Sequence, residues 1–113
     1  MTATTLINYS TRDFASKEDL ELYLERQDAA FSPNVTKLFT EAGRLRRVVT
    51  RIWNKKHAFR VGIVFEYRDQ AAYEACNPLL AKHYLSAVEG LATLVCGSRG
   101  VVLHEFVSDE FQG

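Results

Sequence analysis

Three histidines and two cysteines are the side chains of this 113-residue chain best suited to proton transfer, nucleophilic attack or metal binding near neutral pH. His83 stands in a helical stretch, Lys82-His83-Tyr84. Its plainer reading is a partly exposed helical histidine, and its chemical reading is a proton shuttle beside Asn8. His104 falls in an alternating segment next to Glu105, and neighbouring strand residues point to opposite faces, so the two cannot form a dyad. It is an acid–base candidate if it lines a closed cavity and otherwise a core or interface histidine, with Val102 and Phe106 as companions. His57 sits in a polar turn and is expected to be solvated. Cys76 and Cys96 have no Cys-x-x-Cys spacing and no evident neighbouring base, so they read as buried, reduced thiols; no metal site is expected.

A second group suits binding rather than proton chemistry. Asn8, Trp53, Tyr67 and Tyr73 come from different elements and could converge on a cleft between a sheet and its helices, where a small apolar or aromatic compound would fit. Their alternative is ordinary core packing, the usual fate of strand aromatics. The chain carries no glycine-rich phosphate loop and no nucleophile elbow, so NTP hydrolysis and serine hydrolysis lack support.

The elements that must hold these residues follow from periodicity. A first strand is expected over Thr5 to Ser10, with Leu6, Asn8 and Ser10 on one side. Ser16 then opens a helix running to about Phe31, its serine-x-x-acid pattern capping the first turn. Ser32-Pro33 starts a short helix that Gly43 closes. Arg44 to Asn54 reads as a second strand, Asn54-Lys55-Lys56-His57 as a turn, and Phe59 to Tyr67 as a third strand paired to it in a hairpin. A helix begins near Asp69 or Gln70, and Pro78 should kink or break it, with Asn77 as a cap for the restart. Leu79 to Val95 resumes helical character, Gly97-Ser98-Arg99-Gly100 reads as a loop, and Val101 to Val107 as the last strand.

This order predicts an α+β, ferredoxin-like βαββαβ domain spanning residues 1–113, a four-stranded antiparallel sheet with helices on one face. The length suits one domain with a real core. Fourteen basic side chains balance 14 acidic ones, so neither nucleic acid nor an anionic membrane is an expected partner. The run Arg44, Arg46, Arg47, Arg51, Lys55, Lys56 and Arg60 holds half of all Lys and Arg. The third strand, RVGIVFEY, nevertheless lacks the stacking aromatics of RNA-recognition domains, and the acids of the first helix suggest ion pairing instead. No basic leader or membrane-length apolar run is present, so a cytoplasmic protein is expected. Val61, Ile63, Phe65 and Tyr67 make one side of the third strand apolar, and Gly62 and Val64 do so on the other. Helices cover only one side, and a second copy of the sheet is the expected cover for the rest.

The stretch Val64-Phe65-Glu66-Tyr67-Arg68-Asp69-Gln70-Ala71-Ala72-Tyr73 resembles the strand end, acidic helix cap and Ala-rich first turn of the dimeric α+β barrel superfamily, and the element order extends the likeness across nearly the whole chain. The resemblance implies a homodimer packed sheet to sheet. It also implies a choice between a protein without assigned activity and a cofactor-independent monooxygenase or isomerase of the antibiotic-biosynthesis-monooxygenase type. The heme-degrading branch of that superfamily joins a first-strand asparagine to a helical tryptophan and histidine. Asn8 and His83 stand in matching elements, but the helix reads Ala72-Tyr73-Glu74-Ala75-Cys76 where the tryptophan belongs, and Trp53 lies elsewhere. Heme is therefore not expected, nor is any other cofactor.

Overall fold

A computed structural model describes residues 3–112. Strand β1 (Leu6–Phe14) leads into helix α1 (Lys17–Ala30), where the Ser16 hydroxyl accepts the Asp19 amide at 3.1 Å. Helix α2 (Pro33–Ala42) starts the same way, with Ser32 accepting from Val35 at 3.3 Å and proline in the first turn. Strands β2 (Arg44–Arg51) and β3 (Phe59–Tyr67) form the expected hairpin. Helix α3 (Gln70–Leu79) is capped by Asp69, which accepts the Ala72 amide at 2.8 Å. A π-helical turn (Leu80–Leu85), a short helix α4 (Ser86–Val88), strand β4 (Leu94–Val101) and a 3-10 turn (Asp109–Gln112) complete the chain.

The sheet has the order β2-β3-β1-β4 and is antiparallel throughout, the ferredoxin-like βαββαβ arrangement. Its two faces differ sharply. On β3, Val61, Ile63, Phe65 and Tyr67 are buried beneath the helices, while Gly62, Val64 and Glu66 between them stay partly open. Tyr23, Phe39, Ala72, Cys76, Tyr84 and Val88 supply the helical half of the core.

Several sequence boundaries move. Strand β1 begins at Leu6 rather than Thr5 and continues past Ser10 to Phe14, because Thr11, Arg12 and Asp13 all find partners on β3 and β4. Strand β2 stops at Arg51, leaving Trp53 and Asn54 in the turn. Pro78 does not break the helical run. It leaves the Glu74 carbonyl without its amide donor, and the run widens into the π turn without a restart at Asn77. The last third departs most. Helical structure ends at Val88, and Gly90 turns the chain at φ +81. The stretch Gly97-Ser98-Arg99-Gly100 is the middle of β4, paired to β1, and not a loop. Glycine is accommodated on this edge strand because every position from Leu94 to Val101 has a ladder partner. Residues 102–107, expected to be a strand, lie outside it, since the last pairing bond runs from the Val102 amide to the Thr5 carbonyl. Cys76 is buried as expected, but Cys96 is exposed on β4.

Gly43 links the two halves of the helical layer. It sits at φ +108, its amide donates to the Phe39 and Thr40 carbonyls, and its carbonyl accepts from Arg68 at 3.0 Å. A Cβ there would lie 2.4 Å from the Ala72 Cβ. Gly43→Ala therefore combines left-handed strain with overpacking and is expected to destabilise by about 2–4 kcal/mol. Urea unfolding should show a lower midpoint at unchanged slope.

Candidate functional site

Alternation along β1 puts Leu6, Asn8, Ser10, Arg12 and Phe14 on the helix-facing side. The two ends, Leu6 and Phe14, are buried and apolar, as a core requires. The middle three are polar and half-buried, so the helices cannot close on them as they close on β3. A cleft of about 240 Å³ results. Across from these residues on β4 stand Arg99, Gly97 and Val95 in register. Gly97 leaves the floor open opposite Ser10, since a Cβ there would meet nothing nearer than the Tyr9 carbonyl at 3.9 Å. The roof comes from one side of the helical run, where Tyr73, Asn77, Leu80 and Tyr84 follow at four- and three-residue steps.

Aromatic rings hold the cations of the cleft. The Arg12 guanidinium lies 5.6 Å from the Tyr23 ring centroid and 5.4 Å from that of Tyr84. Arg99 lies 5.2 Å from the Tyr73 ring. Behind the cleft, the Tyr23 and Tyr84 hydroxyls meet at 2.5 Å in a buried hydrogen bond. Burial first, and Tyr84 second, push the Tyr23 phenol well above its ordinary range, so it stays protonated and is no base. Tyr67 is fully buried and edge-on to Tyr73 at 5.5 Å, and desolvation raises its phenol likewise.

Of the residues singled out from sequence, Asn8 and Tyr73 meet in the cleft. Tyr67 stands behind Tyr73 as a core residue, and Trp53 is 89% exposed in the β2–β3 turn, on the far side of the sheet from β4. His83 is half-buried on the π turn and outside the cleft lining. His104 is exposed beyond the end of β4, so the strand companions expected for it do not exist. Sequence reasoning passed over Ser10, Arg12, Asn77, Gly97 and Arg99. The available signal was the pattern Leu6-x-Asn8-x-Ser10-x-Arg12-x-Phe14, a polar stretch inside an apolar frame. Among the described residues no group of three or more His, Cys, Asp or Glu could hold a metal, and no helix is long and apolar enough to cross a membrane.

The opposite face of the sheet carries Ile7, Tyr9, Val48 and Val64 without helical cover. The basic run is dispersed by partners. Arg51 pairs with Glu21 of α1, Arg46 with Glu66, and Arg60 with Asp13, whose carboxyl is held below its ordinary range by the Arg60 hydrogen bond.

The helical layer on one face, the open sheet on the other and the cleft between β1, β4 and α3 define a ferredoxin-like protein of the dimeric α+β barrel class. A family model described as a domain of unknown function (DUF6974) matches residues 3–102, and the chain belongs to that family. Two crystal structures, each described as a dimeric ferredoxin-like protein from an uncultured marine organism, are 28% identical to it. One superposes with a TM-score of 0.85 over 94% of both chains, the other with 0.78 over 92% of this chain and 100% of its own. A monooxygenase from the gene ActVA-Orf6 of Streptomyces coelicolor, in complex with Nanaomycin D, shares the fold at 14% identity, with a TM-score of 0.63 over 93% of each chain. No curated protein matches the chain.

The buried hydroxyl pair sets the back wall of the cleft. Tyr23→Phe removes one hydroxyl while keeping the ring, and should cost about 1 kcal/mol. The Tyr84 resonances should shift more than those of any residue on α2, which a pair of NMR spectra would check.

Proposed function

We propose that this protein is a homodimer that binds a small apolar or aromatic molecule in the cleft between β1, β4 and α3. The observation that carries the binding reading is the polar middle of β1, Asn8, Ser10 and Arg12, on the sheet face that the neighbouring β3 fills with buried core residues. The cleft volume suits a compact ligand, since about eight waters would fill it at roughly 30 Å³ each. Tyr73, Leu80, Phe65 and Tyr84 offer it apolar and aromatic walls.

The dimer reading is supported by the uncovered Ile7, Val48 and Val64, by the exposed Leu103 and Phe106 of the C-terminal stretch, and by the dimeric description of both relatives at 28% identity. A catalytic version, a cofactor-independent monooxygenase or isomerase with His83 or His104 shuttling protons beside Asn8, has Asn8 in the cleft in its favour. The cleft supports binding over catalysis, because its lining offers no histidine or carboxylate among the described residues.

Filling the floor tests the pocket directly. Gly97→Leu adds a side chain where the backbone is unstrained and space is open. It should keep the melting temperature within a few degrees while abolishing the thermal shift and amide perturbations caused by small aromatic compounds. Unchanged binding in this variant would move the ligand elsewhere. Light scattering after size exclusion should give about twice 12.8 kDa, and Val64→Glu should lower it; a monomer across a dilution series would remove the dimer. His83→Ala and His104→Ala should leave binding intact, whereas loss of turnover on a quinol substrate in either would favour the catalytic version.

A further inference from the structure

We propose that the cleft selects a carboxylate-bearing aromatic molecule and that Arg12 is the residue that receives the carboxylate. This rests on the cleft being a binding site, and deepens it by naming the charge of the occupant. Four arginines of the chain, Arg46, Arg51, Arg60 and Arg68, stand within ion-pair distance of an acid. Arg12 does not, and among the described residues its guanidinium makes no hydrogen bond, while its Nε atom is buried without a partner. The cleft lining contains no acidic side chain that could turn inward to meet it.

The Tyr23 and Tyr84 rings attract the guanidinium charge, but a ring face is a poor acceptor for its in-plane N–H groups. Those donors are what a carboxylate matches, through two parallel bonds. Ser10 lies two positions along the same face, about 7 Å away at the backbone, and can donate its hydroxyl to an oxygen of the same anion. Gly97 opposite Ser10 leaves room for a ring, with Leu80 and Tyr73 above it.

A single carboxylate fits better than a phosphate. The other cation of the cleft, Arg99, is four residues along β4 from Val95, the register partner of Arg12, so the two backbones are about 14 Å apart. Arg99 lies over Tyr73, while Arg12 lies at the other end of the cleft beside Tyr23 and Tyr84. Two guanidiniums so placed do not converge on one phosphoryl group, and the Arg12 end offers one anion site.

The test compares isosteric probes on the whole protein, benzoate and 2-naphthoate against benzamide and 2-naphthamide, by calorimetry and by amide shifts near Gly97 and Asn77 at pH 7. We expect the carboxylates to bind at least tenfold more tightly than the amides. Arg12→Gln should remove that preference while changing amide affinity less than threefold, and Arg99→Gln should leave the preference within threefold. Equal affinity of acid and amide at the cleft overturns the carboxylate assignment and leaves the binding site standing. Absence of any cleft perturbation by all four probes overturns both. A preference that survives Arg12→Gln overturns the role of Arg12. Should that variant not fold, Arg12→Lys, which keeps the charge and loses the paired donors, is expected to lower the preference severalfold, and an undiminished preference there overturns the role equally.

Discussion

Guanidinium groups under the helices of this protein are held by aromatic rings and not by carboxylates, and the packing of the helical layer follows from that substitution. Arg44 is the extreme case, only 5% exposed, with the rings of Phe31, Phe39 and Phe65 at 4.8, 4.3 and 5.4 Å from its guanidinium carbon. Each such contact contributes about 0.5–2 kcal/mol. Removing the charge from water costs several kcal/mol. The imbalance shows in the group itself, whose pKa burial, with help from neighbouring Arg47, draws down to about 10. Arg47 shares the Phe31 ring at 4.3 Å and donates to the neutral Gln27 side chain at 2.6 Å. Phe31, the residue that caps the end of α1, thus serves both cations.

The same device toward the β4 edge of the same face has a different outcome. Around Arg44 three rings close completely, and the core is sealed. Around Arg12 only Tyr23 and Tyr84 approach, Ser10 and Asn8 continue the polar stretch, and Gly97 withholds a side chain from the facing strand. Burial is therefore incomplete where β1 meets β4 and complete along the helix-facing side of β3. The π turn contributes to the difference, because Leu80 and Tyr84 project from the widened part of the run onto the cleft.

The elements that the sequence made legible are those specified by local chemistry. Ser16, Ser32-Pro33, Gly43 and Asp69 each satisfy or terminate a helix end with their own atoms, and β3 alternates without interruption, so all of these were readable from a single segment. The last third was not, because its structure is decided by partners far away. Gly97 and Gly100 resemble a loop until they are seen paired to Ser10 and Ile7 of β1, while the extension of β1 past Ser10 gives Leu94 to Cys96 their partners. Val101 to Val107 alternates like a strand, yet β1 begins at Leu6, the partner of Val101, and beyond the bond from the Val102 amide to Thr5 it offers nothing to pair with. The site suffered likewise. Ending the first strand at Ser10 hid Arg12, and reading Gly97 to Gly100 as a loop hid Gly97 and Arg99, so only Asn8 and Tyr73 of the expected site residues line the cleft.

Strand β1 is what ties the two faces together. Its even-numbered residues from Leu6 to Phe14 make the core ends and cleft floor under the helices, and its odd-numbered Ile7 and Tyr9 belong to the open face. A slip of one residue would exchange the two sets, sending Arg12 and Asn8 to the open sheet and Ile7 and Tyr9 into the helical layer. Register is fixed from both sides, with Leu6 opposite Tyr67 on β3 and opposite Val101 on β4. Leu6 and Phe14 are the only buried residues of the strand, and they sit at its two ends. Apolar burial at the ends therefore sets the register, and the polar residues between them face the cleft. One central strand thereby carries the cleft on one side of the sheet and the uncovered face on the other.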